Sequence, residues 1–226
     1  MKWLSGNQLK LLALFAMTSD HVAVQLLPQY GFLRIIGRLA LPIFAYMIAE
    51  GCRYTKDRKR YLLTVLAVAA VCQAVYFVAL RSLYQCILVT FALSICWIYA
   101  LDYAKEKQTA GAVALAVAAS GVICFLSMAL PALLSGSTDF RIDYGIWGIL
   151  LPVIIYFSPR PYKVPATALG LLPLCLVRGG IQWWSMAAVV LLAMYSGKRG
   201  KAPLKYLFYI YYPTHLAVIH LIRLLM

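Results

Sequence analysis

Thr18-Ser19-Asp20-His21 lies in the middle of an apolar run from Leu9 to Leu27, and a run of that length is a membrane-span candidate. A carboxylate near the centre of a span costs about 2.5 kcal/mol or more on insertion scales. An Asp–His pair persists there when something inside the protein satisfies it or uses it. Two chemistries fit: polar bonding between helices of a bundle, and a buried proton-transfer site with His21 as the base. At 1.5 Å per residue the pair lies about 17 Å from the start of the run, close to the midplane. Thr18, His21 and Gln25 fall at i, i+3 and i+7 and share one helix face. Asp20 points about 100° away from His21, so its partner is expected on another helix.

Arg38, in Gly37-Arg38-Leu39-Ala40-Leu41-Pro42, is the nearest candidate. A buried Arg must be paired. It either pins two helices through Asp20 or stabilises a developing oxyanion. Gly37, Ala40, Ala45 and Ala49 are small enough to let a helix or a ligand come close. Glu50 closes the same apolar stretch, and Arg53-Tyr54-Thr55-Lys56 opens a basic run that continues through Arg58, Lys59 and Arg60. Such a run is either a cytoplasm-facing loop or a cradle for the phosphates of a cytosolic donor. Near the end, Tyr211-Tyr212-Pro213-Thr214-His215-Leu216 places a second His at mid-depth, a candidate relay partner for His21. His220 reads as interfacial.

These residues need a membrane bundle to hold them. The chain has 226 residues, 64% of them hydrophobic and 12% charged, and a mean hydropathy of +0.82. That composition is an integral membrane protein's, and no sizeable soluble domain is left over. Nine apolar segments can be marked, at 9–27, 33–52, 61–80, 84–101, 110–133, 144–158, 162–177, 181–195 and 205–225. Segments six to eight are short and carry Pro152, Pro165 and Pro173, which predicts tilted, kinked or re-entrant helices. With no internal repeat and no dividing linker, residues 1–226 read as a single all-α domain, a polytopic bundle of about nine transmembrane helices.

The formal net charge of +14 is topological rather than a nucleic-acid footprint. Lys2, Lys10, the 53–60 run, Lys105, Lys107, Arg160, Lys163, Lys198, Arg199, Lys201 and Lys205 fall on one side. Arg34, Arg81, Arg141, Arg178 and Arg223 fall on the other. The positive-inside rule then places the N-terminus in the cytoplasm. The six scattered cysteines suit packing, neither a disulfide framework nor a metal site. The Lys2–Lys10 start superficially resembles a signal peptide, but its apolar run is too long and Asp20-His21 interrupts it, so a permanent span is expected.

Together, Asp20-His21, Gly37-Arg38-x-Ala-x-Pro-Ile-Phe-Ala-Tyr, Glu50-Gly51 with Tyr54-Thr55, the basic run with Tyr61-Leu62, and the closing Tyr212-Pro-Thr-His215-Leu resemble the TraX family. The likeness runs from about Leu9 to His220 and is most specific in the first third and the last fifteen residues. Leu41 before Pro42 and Val-Ala after Asp-His depart from the family pattern without touching a chemical group. TraX proteins are bacterial inner-membrane proteins associated with N-acetylation of the amino terminus of an F-type pilin. The family is distantly similar to transmembrane acyltransferases of the acyltransferase family 3 and heparan glucosaminide acetyltransferase types. The resemblance implies an acetyl-CoA co-substrate and no metal, with an acceptor amine or hydroxyl (a protein amine, a glycan or a lipid) reached from the far side. It further implies a catalytic group of His21, Asp20, Arg38 and His215, and a donor-binding group of Glu50, Arg53, Tyr54, Lys56, Arg58 and Tyr212. His21 would act as general base, or take the acyl group itself in a two-step route. A small transporter or flippase and a non-catalytic scaffold are the competing readings, since intramembrane Asp, His, Arg and Glu serve those too.

Overall fold

A computed structural model describes residues 3–201 and 204–226, without the side chains of Lys205 and Tyr206. The expectations for Lys2 and for the Lys205 side chain lie outside the described residues. Among the described residues eleven α-helices follow one another: α1 (Gly6–Gln25), α2 (Gly31–Gly37), α3 (Ala40–Tyr54), α4 (Arg58–Leu80), α5 (Ile87–Lys107), α6 (Ala110–Cys124), α7 (Leu130–Leu134), α8 (Gly145–Phe157), α9 (Lys163–Arg178), α10 (Ala187–Ala193) and α11 (Lys205–Leu225). A π turn, Phe125–Ala129, joins α6 to α7, and a 3-10 segment, Gly180–Met186, leads into α10. Among the described residues β pairing is confined to two isolated bridges.

Among the described residues four stretches are long and apolar enough to cross a membrane: Gly31–Tyr54, Arg58–Leu80, Ile87–Lys107 and Ala110–Leu134. The chain is thus an all-helical protein of membrane character. Helix α1 has the length, at 20 residues, but Asn7, Gln8, Lys10, Asp20, His21 and Gln25 hold its mean hydropathy down. The first of the four stretches is broken at Arg38-Leu39, between α2 and α3. Pro42 explains the break: it offers no N–H to the carbonyl of Arg38, and its ring crowds that carbonyl.

The chain forms two compact units, Met1–Met47 with Ser158–Met226, and Ile48–Phe157. In the first, α1 packs on α2 and α11, burying Leu9, Ala13, Ala16 and Ala23. The start of α1 is over-determined. Ser5 and Gln8 form a capping box, Gly6 N donates to the Lys198 carbonyl at 2.8 Å, and Asn7 N donates to the Arg199 carbonyl at 2.9 Å. These bonds satisfy helix-end donors that have no partner inside the helix. They also fix the basic 198–201 loop at the N-terminal end of α1.

In the second unit α5 is central, packed by α4, α6 and α8 around Phe91, Ile95, Ile98, Ile149 and Leu151. One end is closed by backbone bonds between Gln85 and the Arg141–Asp143 strand-like segment, at 2.8 and 3.0 Å. There the Asp139 carboxylate accepts from the Ser82 hydroxyl and from Leu83 N. These two bonds, the Ser82 hydroxyl first, hold its carboxyl below the usual carboxylate range. A depressed carboxyl stabilises the fold above its unfolded value, so this clasp is present at neutral pH and weakens as pH falls. The opposite end gathers the 53–60 run, the last turn of α5 and Tyr156.

Candidate functional site

The first unit builds its polar centre on the Thr18/His21/Gln25 face of α1. Thr18 Oγ1 donates to the Leu14 carbonyl at 2.9 Å, so it accepts the Tyr211 hydroxyl proton across a 2.8 Å bond. One turn on, His21 Nδ1 lies 2.7 Å from His215 Nε2. The order Thr18–Tyr211, His21–His215 means that α1 and α11 run in the same direction.

The tautomers follow from the partners. His215 Nδ1 sits 3.0 Å from the Tyr211 carbonyl, which can only accept, and this assigns a proton to that nitrogen. In neutral His215 the Nε2 is then a lone pair, and His21 Nδ1–H donates to it. The lone pair of neutral His21 therefore rests on Nε2, which has no hydrogen bond among the described residues. A carbonyl, one imidazole and a second imidazole thus leave one oriented basic nitrogen at the end of a chain. Rings hold the chain in place. His21 and His215 lie within 15° of parallel, Tyr211 stacks on His215 at 5.3 Å, and Tyr212 meets His215 edge-on at 5.3 Å. His215 is 6% exposed and Tyr212 also 6%.

Asp20, on the neighbouring face, is paired with Arg38 through Arg38 Nη2 and Asp20 Oδ1. Arg34 stands 4.0 Å from the same oxygen, and Arg38 Nε donates to the Arg34 carbonyl at 3.3 Å. The Arg38 side chain is 8% exposed and that of Asp20 20%, so the pair is largely withdrawn from water. Gly37 makes the approach possible. A Cβ there would lie 2.4 Å from Asp20 Cβ and 2.7 Å from Oδ1. Gly37→Ala is expected to force α1 and α2 apart at a cost of about 1–3 kcal/mol, lowering the melting temperature of the purified protein. Gly111→Ala, where a Cβ meets nothing within 4 Å, serves as the control and should not lower it.

The TraX protein family model matches residues 5–223. The chain belongs to the TraX family. It is similar along its length to the "Probable fimbrial assembly protein FimC, serogroup H1" of Dichelobacter nodosus, 27% identical over 237 residues, which is 95% of this chain and 94% of that one. An uncharacterised protein of Rickettsia prowazekii (strain Madrid E) is 40% identical over 55 residues, 24% of this chain and 22% of that protein. No solved structure matches.

In this TraX-family chain the expected catalytic group of His21, Asp20, Arg38 and His215 sits within one compact unit, as two bonded pairs joined by the Asp20–His21 peptide. Of the expected donor group, Tyr212 lies with them, against His215. Glu50, Arg53, Tyr54, Lys56 and Arg58 belong to the second unit. Arg53 donates to the Tyr156 carbonyl and lies over the Tyr156 ring at 5.3 Å. Arg58 donates to Asp102 at 2.6 Å, with Glu106 at 3.6 Å and the Tyr99 ring at 5.3 Å. Both arginines therefore clasp the 53–60 run to α5 and α8. Tyr54 and Lys56 are exposed, and Glu50 is half-buried.

Sequence reasoning gave no site role to Tyr211, whose carbonyl and hydroxyl anchor the histidine pair, and used Arg34 only for topology, not as a second cation beside Asp20. It also passed over Asp102, Glu106 and Tyr156. Asp102 and Glu106 carried a signal: they stand at i, i+4 in the last turns of an apolar helix in a chain with only seven acidic residues.

Proposed function

We propose that this protein is a membrane-embedded acyltransferase that moves an acetyl group from cytosolic acetyl-CoA to an amine or hydroxyl at the outer face. The observation that carries the reading is the oriented, unbonded Nε2 of His21 at the end of the His21–His215–Tyr211 chain. Acyl transfer needs a base that takes the proton from the acceptor as its nitrogen or oxygen forms the new bond to the acetyl carbon. His21 Nε2 takes that proton and returns it to the departing CoA sulfur as the thioester C–S bond breaks. His215 accepts a hydrogen bond from His21 Nδ1 throughout and so stabilises the imidazolium. Arg38, fixed by Asp20, supplies positive charge for the oxyanion that develops on the acetyl oxygen.

The topology of the proposal is nine spans in the bacterial inner membrane, with a cytoplasmic N-terminus. The parallel course of α1 and α11 supports it, because two spans running the same way enclose an odd total. The shared end of the α1 start and the 198–201 loop is also consistent with the positive-inside assignment. So is the second unit, whose basic 53–60 run and Lys105–Lys107 stand at one end and Arg81 and Arg141 at the other. The Dichelobacter nodosus relative is named a probable fimbrial assembly protein, which supports a place for this chain in fimbrial assembly; the acceptor proposed with it is a pilin amino terminus or a glycan.

The test is purified protein in nanodiscs given acetyl-CoA labelled in the acetyl group, with release of free CoA and label on the protein followed together. Release that rises with added pilin peptide or glycan is expected. Label kept on the protein in the absence of acceptor would assign the two-step route through His21. No turnover with any acceptor, in protein that melts cooperatively, overturns the reading.

A further inference from the structure

An open cavity of about 510 Å³ lies over the first turns of α4, lined by Asp57, Lys59, Arg60, Leu63, Thr64 and Ala67. We propose that it holds an anionic phospholipid of the cytoplasmic leaflet, with the headgroup phosphate on Lys59 and Arg60 and an acyl chain along Leu63 and Ala67. The inference takes α4 as a span entered from the cytoplasm and is independent of the acyl-transfer chemistry.

Charge is the first argument. The first turn of α4 carries Arg58, Lys59 and Arg60 and no acidic residue, at the helix end where the macrodipole disfavours cations. Arg58 is relieved by Asp102 and Glu106. No carboxylate among the described residues pairs with Lys59 or Arg60. The Asp57 carboxylate that shares the cavity is occupied in accepting Arg60 N at 2.8 Å. A phosphate at this mouth meets two cations and the positive end of a helix 23 residues long.

Geometry is the second. Asp57, Arg60, Thr64 and Ala67 stand at i, i+3, i+7 and i+10, one stripe of the helix, with Lys59 and Leu63 beside it. From Arg60 to Ala67 the helix rises about 10 Å, which carries the lining from headgroup level into the hydrocarbon. Only 17% of the apolar window of α4 is buried inside the protein, and Leu63 and Leu66 are exposed, so lipid forms the outer wall. A phospholipid uses both the basic mouth and the apolar floor. The phosphates of CoA would use the mouth and leave the amides of the pantetheine arm against Leu63 and Ala67 without partners.

The test uses the full chain, delipidated in detergent and titrated with phosphatidylglycerol or phosphatidylcholine, with bound lipid counted by native mass spectrometry. Wild type is expected to retain phosphatidylglycerol in preference to phosphatidylcholine. A Lys59→Ala/Arg60→Ala double variant should lose about 25-fold in phosphatidylglycerol affinity, some five-fold per cation. Ala67→Phe, which fills the floor and leaves the charges, should weaken the same lipid. Undiminished phosphatidylglycerol binding by the double variant overturns the proposal. So does displacement of the lipid from wild type by CoA, which would assign Lys59 and Arg60 to the donor instead.

Discussion

His21→Ala is expected to abolish acetyl-CoA-dependent acyl transfer, with a fall of about 10²–10⁴-fold, the usual worth of a positioned general base. The protein should still fold, because His21 contributes one hydrogen bond and ring contacts to a unit held elsewhere by Thr18–Tyr211, Asp20–Arg38 and the capped start of α1. Substitutions at His215 separate positioning from chemistry. His215 Nε2 only accepts from His21, so His215→Gln, whose amide oxygen can accept at the same place, should retain more activity than His215→Phe. If the covalent route operates, His21→Ala also removes label from the protein, whereas His215→Gln leaves label that turns over slowly. The pair further predicts a pH profile. The 2.7 Å bond needs one nitrogen to donate and the other to accept. A doubly protonated pair cannot make it, and a protonated His21 Nε2 cannot take a proton. Turnover should therefore fall on the acid side of the profile, and His215→Gln should change the number of protons that govern the fall. Activity that tracks only protein abundance across these variants, at unchanged pH profile, would identify a scaffold.

Much of this centre was legible because it rests on local spacing. Thr18, His21 and Gln25 on one face, and a polar pair at mid-depth, follow from helical period and the cost of burying charge. The Asp20–Arg38 pair follows from the need of each buried charge for an opposite one. The partner register of α11 was open to inference only in part, since depth puts His215 near His21 while nothing in the sequence says that the Tyr211 carbonyl fixes its tautomer. The role of the basic run was the least legible. Arg53 and Arg58 read along the chain as candidates for phosphate binding, and nothing along the chain announces that they also bond Tyr156, 103 residues from Arg53, and Asp102, 44 from Arg58. Such distant pairings are set by packing. The element pattern shows the same limit. The 33–52 segment is two helices because Pro42 breaks it at Arg38-Leu39, and the 181–195 segment opens inside a 3-10 stretch that starts at Gly180, with Gly179 and Gly180 both at positive φ, a conformation that glycine adopts at no steric cost.

Arg38→Ala is expected to cost about 3–5 kcal/mol, because it leaves the Asp20 carboxylate largely withdrawn from water with its main partner gone. Arg34 does not replace it. Its Nε is 4.0 Å from Asp20 Oδ1 and its side chain is 47% exposed, so the residual attraction is screened. Asp20→Asn should cost less, since the amide oxygen still accepts from Arg38, although the guanidinium then stays buried without a countercharge. The decisive variant is the double replacement Asp20→Leu/Arg38→Met, which removes both charges and keeps apolar volume. Buried ion pairs replaced in this way are often neutral or stabilised by about 1–4 kcal/mol. Melting of the double variant should therefore recover to near wild type while acyl transfer stays lost. That combination separates the two roles of the pair, because a bond whose only task is to pin α1 to α2 can be exchanged for packing. A cation that meets a developing oxyanion cannot. If transfer returns together with stability, Arg38 is a structural residue and the acyl-transfer step depends on the histidine pair alone.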